Sequence, residues 1–142
     1  MICGGSDSVL TNEIEAVLEN SKTIAVVGLS DKPYRDSYHV AEYLRDHGYR
    51  IIPVNPALTE VLGVKAYPDL KSIRDKIDVV DIFRRSEDVP PIVDAAIEIG
   101  ARTIWMQIGV VHEAAAEKAR KAGLTVIMDR CMLRDHHDWL QS

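Results

Sequence analysis

Short apolar runs alternate with longer amphipathic stretches along the chain. The runs are continuous in apolar character, which is typical of strands buried on both faces of a parallel sheet. The longer stretches repeat their apolar residues every three or four positions, which predicts helices. The five predicted strands are residues 23–28, 49–54, 79–83, 103–107 and 124–128.

Capping residues mark the helices between these strands. Thr11, Ser37 and Ser86 each precede an amphipathic stretch and are the predicted N-caps of three helices. Strands that alternate with helices form right-handed βαβ crossovers, which build a parallel sheet covered by helices. The sequence therefore predicts one doubly wound α/β domain over residues 11–142, preceded by a flexible lead over residues 1–10.

Candidate chemistry follows from this architecture, because an open parallel sheet binds ligands beyond the carboxyl ends of its strands. The first such loop, Gly28-Leu29-Ser30, is a dinucleotide-type turn with one glycine where G-x-G is usual. Gly28 permits the tight turn, and backbone N–H groups at the start of the next helix suit a phosphate. Ser30 adds a hydroxyl group, while Lys32 and Arg35 add cations. The alternative is a loop that only turns the chain and whose charges are solvated.

The end of the second strand argues against a nicotinamide dinucleotide. Proteins that bind NAD usually place Asp or Glu there, where the carboxylate holds the ribose hydroxyls. In this chain the strand ends at Val54-Asn55-Pro56, which contains no carboxylate. NAD is therefore disfavoured as the ligand, although the phosphate-binding features of the first loop are unaffected.

Composition narrows the choice of partner and compartment. The chain has 17 Lys and Arg against 22 Asp and Glu, and the net charge of −5 argues against a nucleic-acid partner. We find no apolar stretch of about 18 residues and no signal-peptide pattern, so we expect no membrane association. Cys3 and Cys131 are too few for a disulfide framework. The sequence therefore predicts a cytosolic protein with reduced thiols.

Five motifs in the predicted order resemble those of one protein family. They are residues 26–38 (VVGLSDKPYRDSY), 48–56 (GYRIIPVNP), 81–85 (DIFRR), 105–109 (WMQIG) and 129–132 (DRCM). Together they resemble the small stand-alone coenzyme A (CoA)-binding domain proteins, which are similar to the nucleotide-binding domain of the succinyl-CoA synthetase α subunit. The resemblance covers nearly the whole chain, and its strength lies in five motifs that occur in register.

The resemblance implies a Rossmann-like three-layer sandwich, with helices on both faces of a five-stranded parallel sheet of strand order 3-2-1-4-5. Coenzyme A would lie across the strand ends, as the cofactor of the site. The ligase's phosphorylated histidine and grasp domain have no counterpart in this sequence, so the resemblance implies no synthetase chemistry. It implies these positions along the ligand: Gly28 and Ser30 at the pyrophosphate, Lys32 and Arg35 near the phosphates, Val54, Asn55 and Pro56 at the adenosine, Phe83 and Arg84 flanking the cleft, and Gln107 and Gly109 toward the pantetheine arm.

Cys131 is a candidate site residue at the end of the fifth strand. Arg130 precedes it and a helix begins at it, and both a cation and a helix N-terminus lower the pKa of a thiol. A CoA molecule with its thiol end at the strand ends would then place that end where Cys131 can form a mixed disulfide by exchange with oxidised CoA. The alternative is a small residue that fills space in the core. The five-residue step from Cys131 to His136 does not place both on one helix face, so no metal site is predicted.

These observations predict a non-catalytic module that binds CoA or an acyl-CoA and acts as a carrier, a sensor or a store of thiol redox state. Its expected macromolecular partners are a second copy of the chain or a CoA-utilising enzyme. Two alternatives stay open. One is an NAD(P)- or nucleotide-dependent enzyme whose catalytic group comes from the substrate or a partner chain. The other is a regulatory interaction domain whose CoA site is vestigial.

Overall fold

The computed structural model describes residues 4–142, so Cys3 and the first three positions of the predicted lead lie outside it. None of the helices described there is long and apolar enough to cross a membrane. The helices are α1 (Gly4–Asn20), α2 (Asp36–Asp46), α3 (Val89–Glu98), α4 (Glu113–Lys121) and α5 (Met132–Gln141). The strands are β1 (Thr23–Val27), β2 (Arg50–Val54), β3 (Glu60–Val61), β4 (Val64–Lys65), β5 (Val79–Ile82), β6 (Thr103–Met106) and β7 (Thr125–Ile127).

The main sheet has five parallel strands in the order β2-β1-β5-β6-β7. This confirms the Rossmann-like α/β fold, but the strand order 3-2-1-4-5 is wrong. Counted along the chain, the five strands are ordered 2-1-3-4-5, because β5 pairs with β1 rather than with β2. All four residues of β5 are buried, which suits a central strand, whereas β2 carries Pro53, which lacks an N–H donor and suits an edge.

This strand order fixes where a ligand site is expected. After β1 the chain crosses to β2 on one side, and it then returns to β5 on the other side of β1. The order therefore reverses between β1 and β5, and the crevice outside the carboxyl ends of these two strands is the switch point of the fold. Gly28 follows β1 there, and Phe83 follows β5.

Two apolar cores lie on opposite faces of the sheet, as the three-layer prediction requires. One core packs α3 and α4 against the sheet, with Val93 and Ala116 fully buried. The other packs α1, α2 and α5, with Leu18, Leu44 and Met132 almost fully buried. Because both faces are covered, the strands read as continuous apolar runs in the sequence.

Local boundaries differ from the predictions in several places. Helix α1 begins at Gly4 rather than at Thr11. The N-cap of α2 is Arg35, and Ser37 lies inside its first turn. A 3-10 turn over Ser86–Asp88 precedes α3, so Ser86 does not cap that helix.

The small antiparallel pair of β3 and β4 is not predicted by the sequence. Its turn residues, Leu62 and Gly63, both have positive φ angles, of 54° and 75°. Such turns usually carry Asn-Gly or Asp-Gly, and the Leu62-Gly63 dipeptide lacks that signal.

Candidate functional site

Three adjoining cavities lie along the carboxyl ends of the strands, and we call them together the strand-end cleft. The loop cavity (about 550 Å³) lies at the loop after β1, and the Cys131 cavity (about 760 Å³) lies at the N-terminus of α5. The Pro56 cavity (about 410 Å³) lies on the α3 side of the sheet. Phe83 lines both the loop cavity and the Cys131 cavity. Gly28 lines the loop cavity and the Pro56 cavity, and Arg84 lines the Cys131 cavity and the Pro56 cavity.

All twelve residues singled out from the sequence line this cleft. The loop cavity includes Gly28, Ser30, Lys32, Arg35, Asn55 and Phe83. The Cys131 cavity includes Phe83, Arg84, Gln107, Gly109 and Cys131. The Pro56 cavity includes Gly28, Val54, Pro56 and Arg84. The structure therefore brings these residues to one continuous surface, while their contacts with a ligand stay predictions.

Gly28 turns the chain at the switch point. Its φ angle is +88°, and its N–H group donates to the Val54 carbonyl oxygen at 2.9 Å. A Cβ atom at this position would overlap the Phe83 carbonyl oxygen and would approach Arg84 Cδ to 3.0 Å. Both the backbone conformation and the available space therefore require glycine, as the sequence predicts.

The loop after Gly28 is held in shape by side chains. The Ser30 N–H group donates to Ser37 Oγ at 3.0 Å, and the Lys32 N–H group donates to Ser30 Oγ at 3.0 Å. Asn55 Nδ2 donates to the Leu29 carbonyl oxygen at 3.0 Å. Ser37, predicted as a helix cap, instead orients the loop. Asn55 links the ends of β1 and β2, and it occupies the position at which NAD sites usually carry an acidic residue.

Several cations surround the cleft, and they differ in how far they are neutralised. Arg84 and Arg85 each approach Asp88 at 3.4 Å. Within residues 4–142, Lys32 and Arg35 form no ion pair, and both are exposed beside the N-terminus of α2. The loop cavity is therefore the part of the cleft best suited to a phosphate group.

The floor of the Cys131 cavity is formed partly by Gln107. Its Oε1 atom accepts a hydrogen bond from the Met132 N–H group at 3.2 Å, which fastens the start of α5. The residue is 5% exposed, and it lines the cavity. Because the oxygen is occupied by the backbone, the NH2 group is the end that a ligand in the cavity can accept from.

Two residues that sequence reasoning missed shape the same cavity. Asp129 has a φ angle of 60°, and its Oδ1 atom accepts from the Gly109 N–H group at 2.7 Å. Ser86 Oγ accepts from the Val111 N–H group at 2.9 Å. These contacts tie the loop after β6 to the neighbouring loops. The position of Asp129 directly after a predicted strand could have indicated its place at the site. The sequence around Ser86 indicates only a helix cap.

Arg130, the cation that precedes Cys131, forms an ion pair with Asp135. Its guanidinium group binds both oxygens of Asp135 at 2.8 Å, and Asp135 is buried. The hydrogen bond to Asp135 raises the pKa of Arg130, although burial opposes it. The charge is therefore committed to Asp135. Cys131 is partly buried and is the N-cap of α5, with no hydrogen bond from its side chain to the helix.

His136 packs inside the protein. Its Nδ1 atom is hydrogen-bonded to the Tyr43 hydroxyl at 2.9 Å, and the rings of Tyr49 and Trp139 meet it edge-on. Burial lowers the pKa of His136. His136 is therefore part of the packed interior and does not lie on a solvated helix end. No cluster of three or more His, Cys, Asp or Glu suited to a metal ion occurs within the part of the chain that the structure describes.

Asp81 is a buried acid in the centre of the sheet. It lies in β5 between Val26 of β1 and Trp105 of β6. The residue is 0% exposed, and neither carboxyl oxygen has a hydrogen-bond partner within residues 4–142. Burial raises the pKa of Asp81 well above its ordinary value. The sequence motif contains this residue but does not indicate its burial.

Comparison with known proteins identifies the family to which the chain belongs. Uncharacterized protein YneT of Bacillus subtilis (strain 168) is 48% identical over 87% of this chain and 92% of its own length. The alpha subunit of the ADP-forming acetate–CoA ligase I of Pyrococcus furiosus is 28% identical over 78% of this chain, which spans only 27% of that subunit. The solved structure of a hypothetical protein from Pyrococcus horikoshii OT3 has a TM-score of 0.89, with 43% identity and 92% of each chain covered. Residues 22–137 match the CoA binding domain family, and the chain therefore belongs to it.

Proposed function

We propose that this protein binds CoA non-catalytically across the strand-end cleft. The phosphates lie at the loop cavity, the adenosine borders the Pro56 cavity, and the pantetheine arm runs past Phe83 toward Cys131. Membership of the CoA binding domain family supports the choice of ligand. The continuity of the three cavities supports the path, because a long ligand needs one uninterrupted surface.

The observation that carries this proposal is the geometry of the loop cavity, which suits a phosphate group. Gly28 leaves the backbone open at the switch point, and the N-terminus of α2 lies beside it. Lys32 and Arg35 are exposed there and form no ion pair among the described residues. The net charge of −5 makes this local arrangement necessary, because the surface as a whole repels a polyanion such as CoA.

The walls of the Pro56 cavity suit an adenine ring. Val54 and Pro56 come from the end of β2, and Pro91 and Ile92 come from α3. These apolar side chains offer contact area to a planar ring, and the charged residues of the cavity lining are Asp69, Arg84, Glu87 and Asp88. Its position beside Gly28 places such a ring next to the loop that would hold the phosphates.

An NAD-dependent enzyme is the weaker proposal. The acidic residue that would hold a ribose is replaced by Asn55, whose NH2 group is already bonded to the Leu29 carbonyl oxygen. We propose a carrier, sensor or thiol-redox role in its place, with the thiol end of CoA beside Cys131. We also propose that the protein acts in the cytosol, where a thiol such as Cys131 persists in reduced form.

Calorimetry on three variants tests the phosphate site. Lys32→Gln and Arg35→Ala should each weaken CoA binding at least about tenfold, because a hydrogen bond to a charged group contributes about 1.5–3 kcal/mol. Arg74→Ala removes an exposed arginine outside the cleft and serves as the matched control. If all three variants bind CoA like the parent protein, the phosphates do not lie at the loop cavity.

A further inference from the structure

The Cys131 cavity offers more apolar surface than a CoA thiol uses. Five apolar side chains line it: Val40, Phe83, Ile108, Val110 and Leu133. Ile108 stands out among them, because its large apolar side chain is 69% exposed. A wall of this kind at the end of a ligand cleft is suited to an apolar group that the ligand brings with it.

The same cavity contains one well-oriented polar group. Gln107 lines it, and because its amide oxygen accepts from the Met132 N–H group, its NH2 group is the end that can donate to a ligand. A side-chain NH2 group donates strongly to a carbonyl oxygen, whereas a thiol sulfur is a weak acceptor. Free CoA therefore leaves this donor poorly satisfied at the thiol end.

A thioester differs from a free thiol in the two features that this cavity accommodates. It adds a carbonyl oxygen beside the sulfur, and it adds a carbon chain beyond the carbonyl. We propose that the ligand is a short-chain acyl-CoA with an apolar acyl group. Its thioester oxygen accepts from Gln107, and its chain lies against Ile108, Val110 and Leu133. This inference rests on the proposed CoA site and specifies the chemical class of its ligand.

Charge in the cavity favours an apolar acyl group over an acidic one. Asp36 and Asp88 line it with carboxylates, and Arg84 and Arg85 both approach Asp88 at 3.4 Å. A terminal carboxylate on the acyl chain would meet two like charges and two arginines that already have a partner. Succinyl-CoA is therefore expected to bind more weakly than butyryl-CoA.

Calorimetry with CoA, acetyl-CoA, butyryl-CoA and hexanoyl-CoA tests the acyl subsite. Affinity should rise with chain length by up to about fourfold per methylene, which is the value for full burial at about 0.8 kcal/mol per CH2. Ile108→Ser should reduce this dependence on chain length. Val111→Ser is the matched control, because Val111 is 41% exposed in the same loop but does not line the cavity.

Gln107→Glu and S-butyl-CoA test the carbonyl contact separately. Glutamate can still accept from the Met132 N–H group but cannot donate, so the ratio of butyryl-CoA to CoA affinity should fall. S-butyl-CoA carries the chain without the carbonyl oxygen, so it should bind more weakly than butyryl-CoA to the parent protein. The same two ligands should bind Gln107→Glu with nearly equal affinity.

The outcomes separate this inference from the proposal on which it rests. CoA and all acyl-CoAs binding with equal affinity would overturn the acyl subsite and leave the CoA site intact. Tighter binding of succinyl-CoA than of butyryl-CoA would overturn the apolar assignment. An equal loss for CoA and butyryl-CoA in Gln107→Glu would assign the NH2 group to the pantetheine arm. Absence of binding by CoA and by every acyl-CoA would overturn both proposals.

Discussion

Replacing the buried Asp81 by asparagine should stabilise the protein, increasingly as the pH rises. The residue is 0% exposed and its carboxyl oxygens lack partners among residues 4–142, so the native state favours the neutral form of its carboxyl group. Burial raises its pKa well above the ordinary value of 3.8. The unfolded chain releases the proton above that value, whereas the native state keeps it. The native stability linked to Asp81 is therefore complete below pH 3.8 and is lost progressively as the pH rises toward the native pKa.

The size of the effect follows from proton linkage. Between the unfolded and the native pKa, the free energy of unfolding falls by about 1.4 kcal/mol for each pH unit on account of this one group. Asp81→Asn keeps the shape of the side chain and removes the titration. Both side chains are buried without partners, so the two proteins should have a similar free energy of unfolding near pH 4. At higher pH the free energy of unfolding of the variant should exceed that of the parent protein.

Urea denaturation of both proteins from about pH 4 to about pH 8 measures this difference. Subtracting the two curves cancels all other titrating groups, and the remaining slope should be about 1.4 kcal/mol per pH unit over the affected range. Asp31→Asn changes an exposed carboxylate and should follow the parent curve. A difference between Asp81→Asn and the parent that is independent of pH would refute the reasoning.

Three further predictions concern the cleft. Gly28→Ala should lower the free energy of unfolding by more than about 2 kcal/mol in urea denaturation. Gly63 also has a positive φ angle, but a Cβ atom there would meet no atom within 4 Å, so Gly63→Ala should lower the free energy of unfolding by less. Equal losses in the two variants would contradict the steric argument. Arg35→Ala should weaken CoA binding, and calorimetry with CoA and with dephospho-CoA measures where the side chain acts. An equal loss of affinity for the two ligands assigns Arg35 to the pyrophosphate, and a larger loss for CoA assigns it to the 3′-phosphate. Unchanged affinity for both ligands would remove Arg35 from the site. With oxidised CoA, Cys131 should attack the disulfide, form a Cys131–CoA disulfide and release one CoA thiol. Non-reducing peptide mass mapping should find the adduct on the peptide that contains Cys131, which separates it from any adduct at Cys3. A whole-protein mass gain that is undiminished in Cys131→Ser would contradict the assignment.

Much of the fold could be predicted from the sequence, because a strand that is buried on both faces appears as a continuous run of apolar residues. Each of the five predicted strands overlaps a strand of the parallel sheet, and Gly28 has the positive φ angle that a tight turn needs. The order of the strands was not accessible in the same way. A continuous apolar run indicates that β5 is buried but does not indicate whether its neighbour is β1 or β2.

The site was predictable in position but less so in its contacts. Polar residues that directly follow buried strands converge at one edge of a parallel sheet, which locates the cleft. The pairing of Arg130 with Asp135 spans five residues across the N-terminus of α5, and no periodic pattern encodes it. The burial of Asp81 is hidden for a similar reason, because an acid within an apolar run gives no indication of which groups surround it.

Titration of the full chain with CoA, NAD, NADP and ATP in a calorimeter tests the central claim most directly. The account predicts saturable binding of one CoA per chain, with much weaker responses to the other three ligands. Tight binding of NAD or NADP without a response to CoA would contradict it.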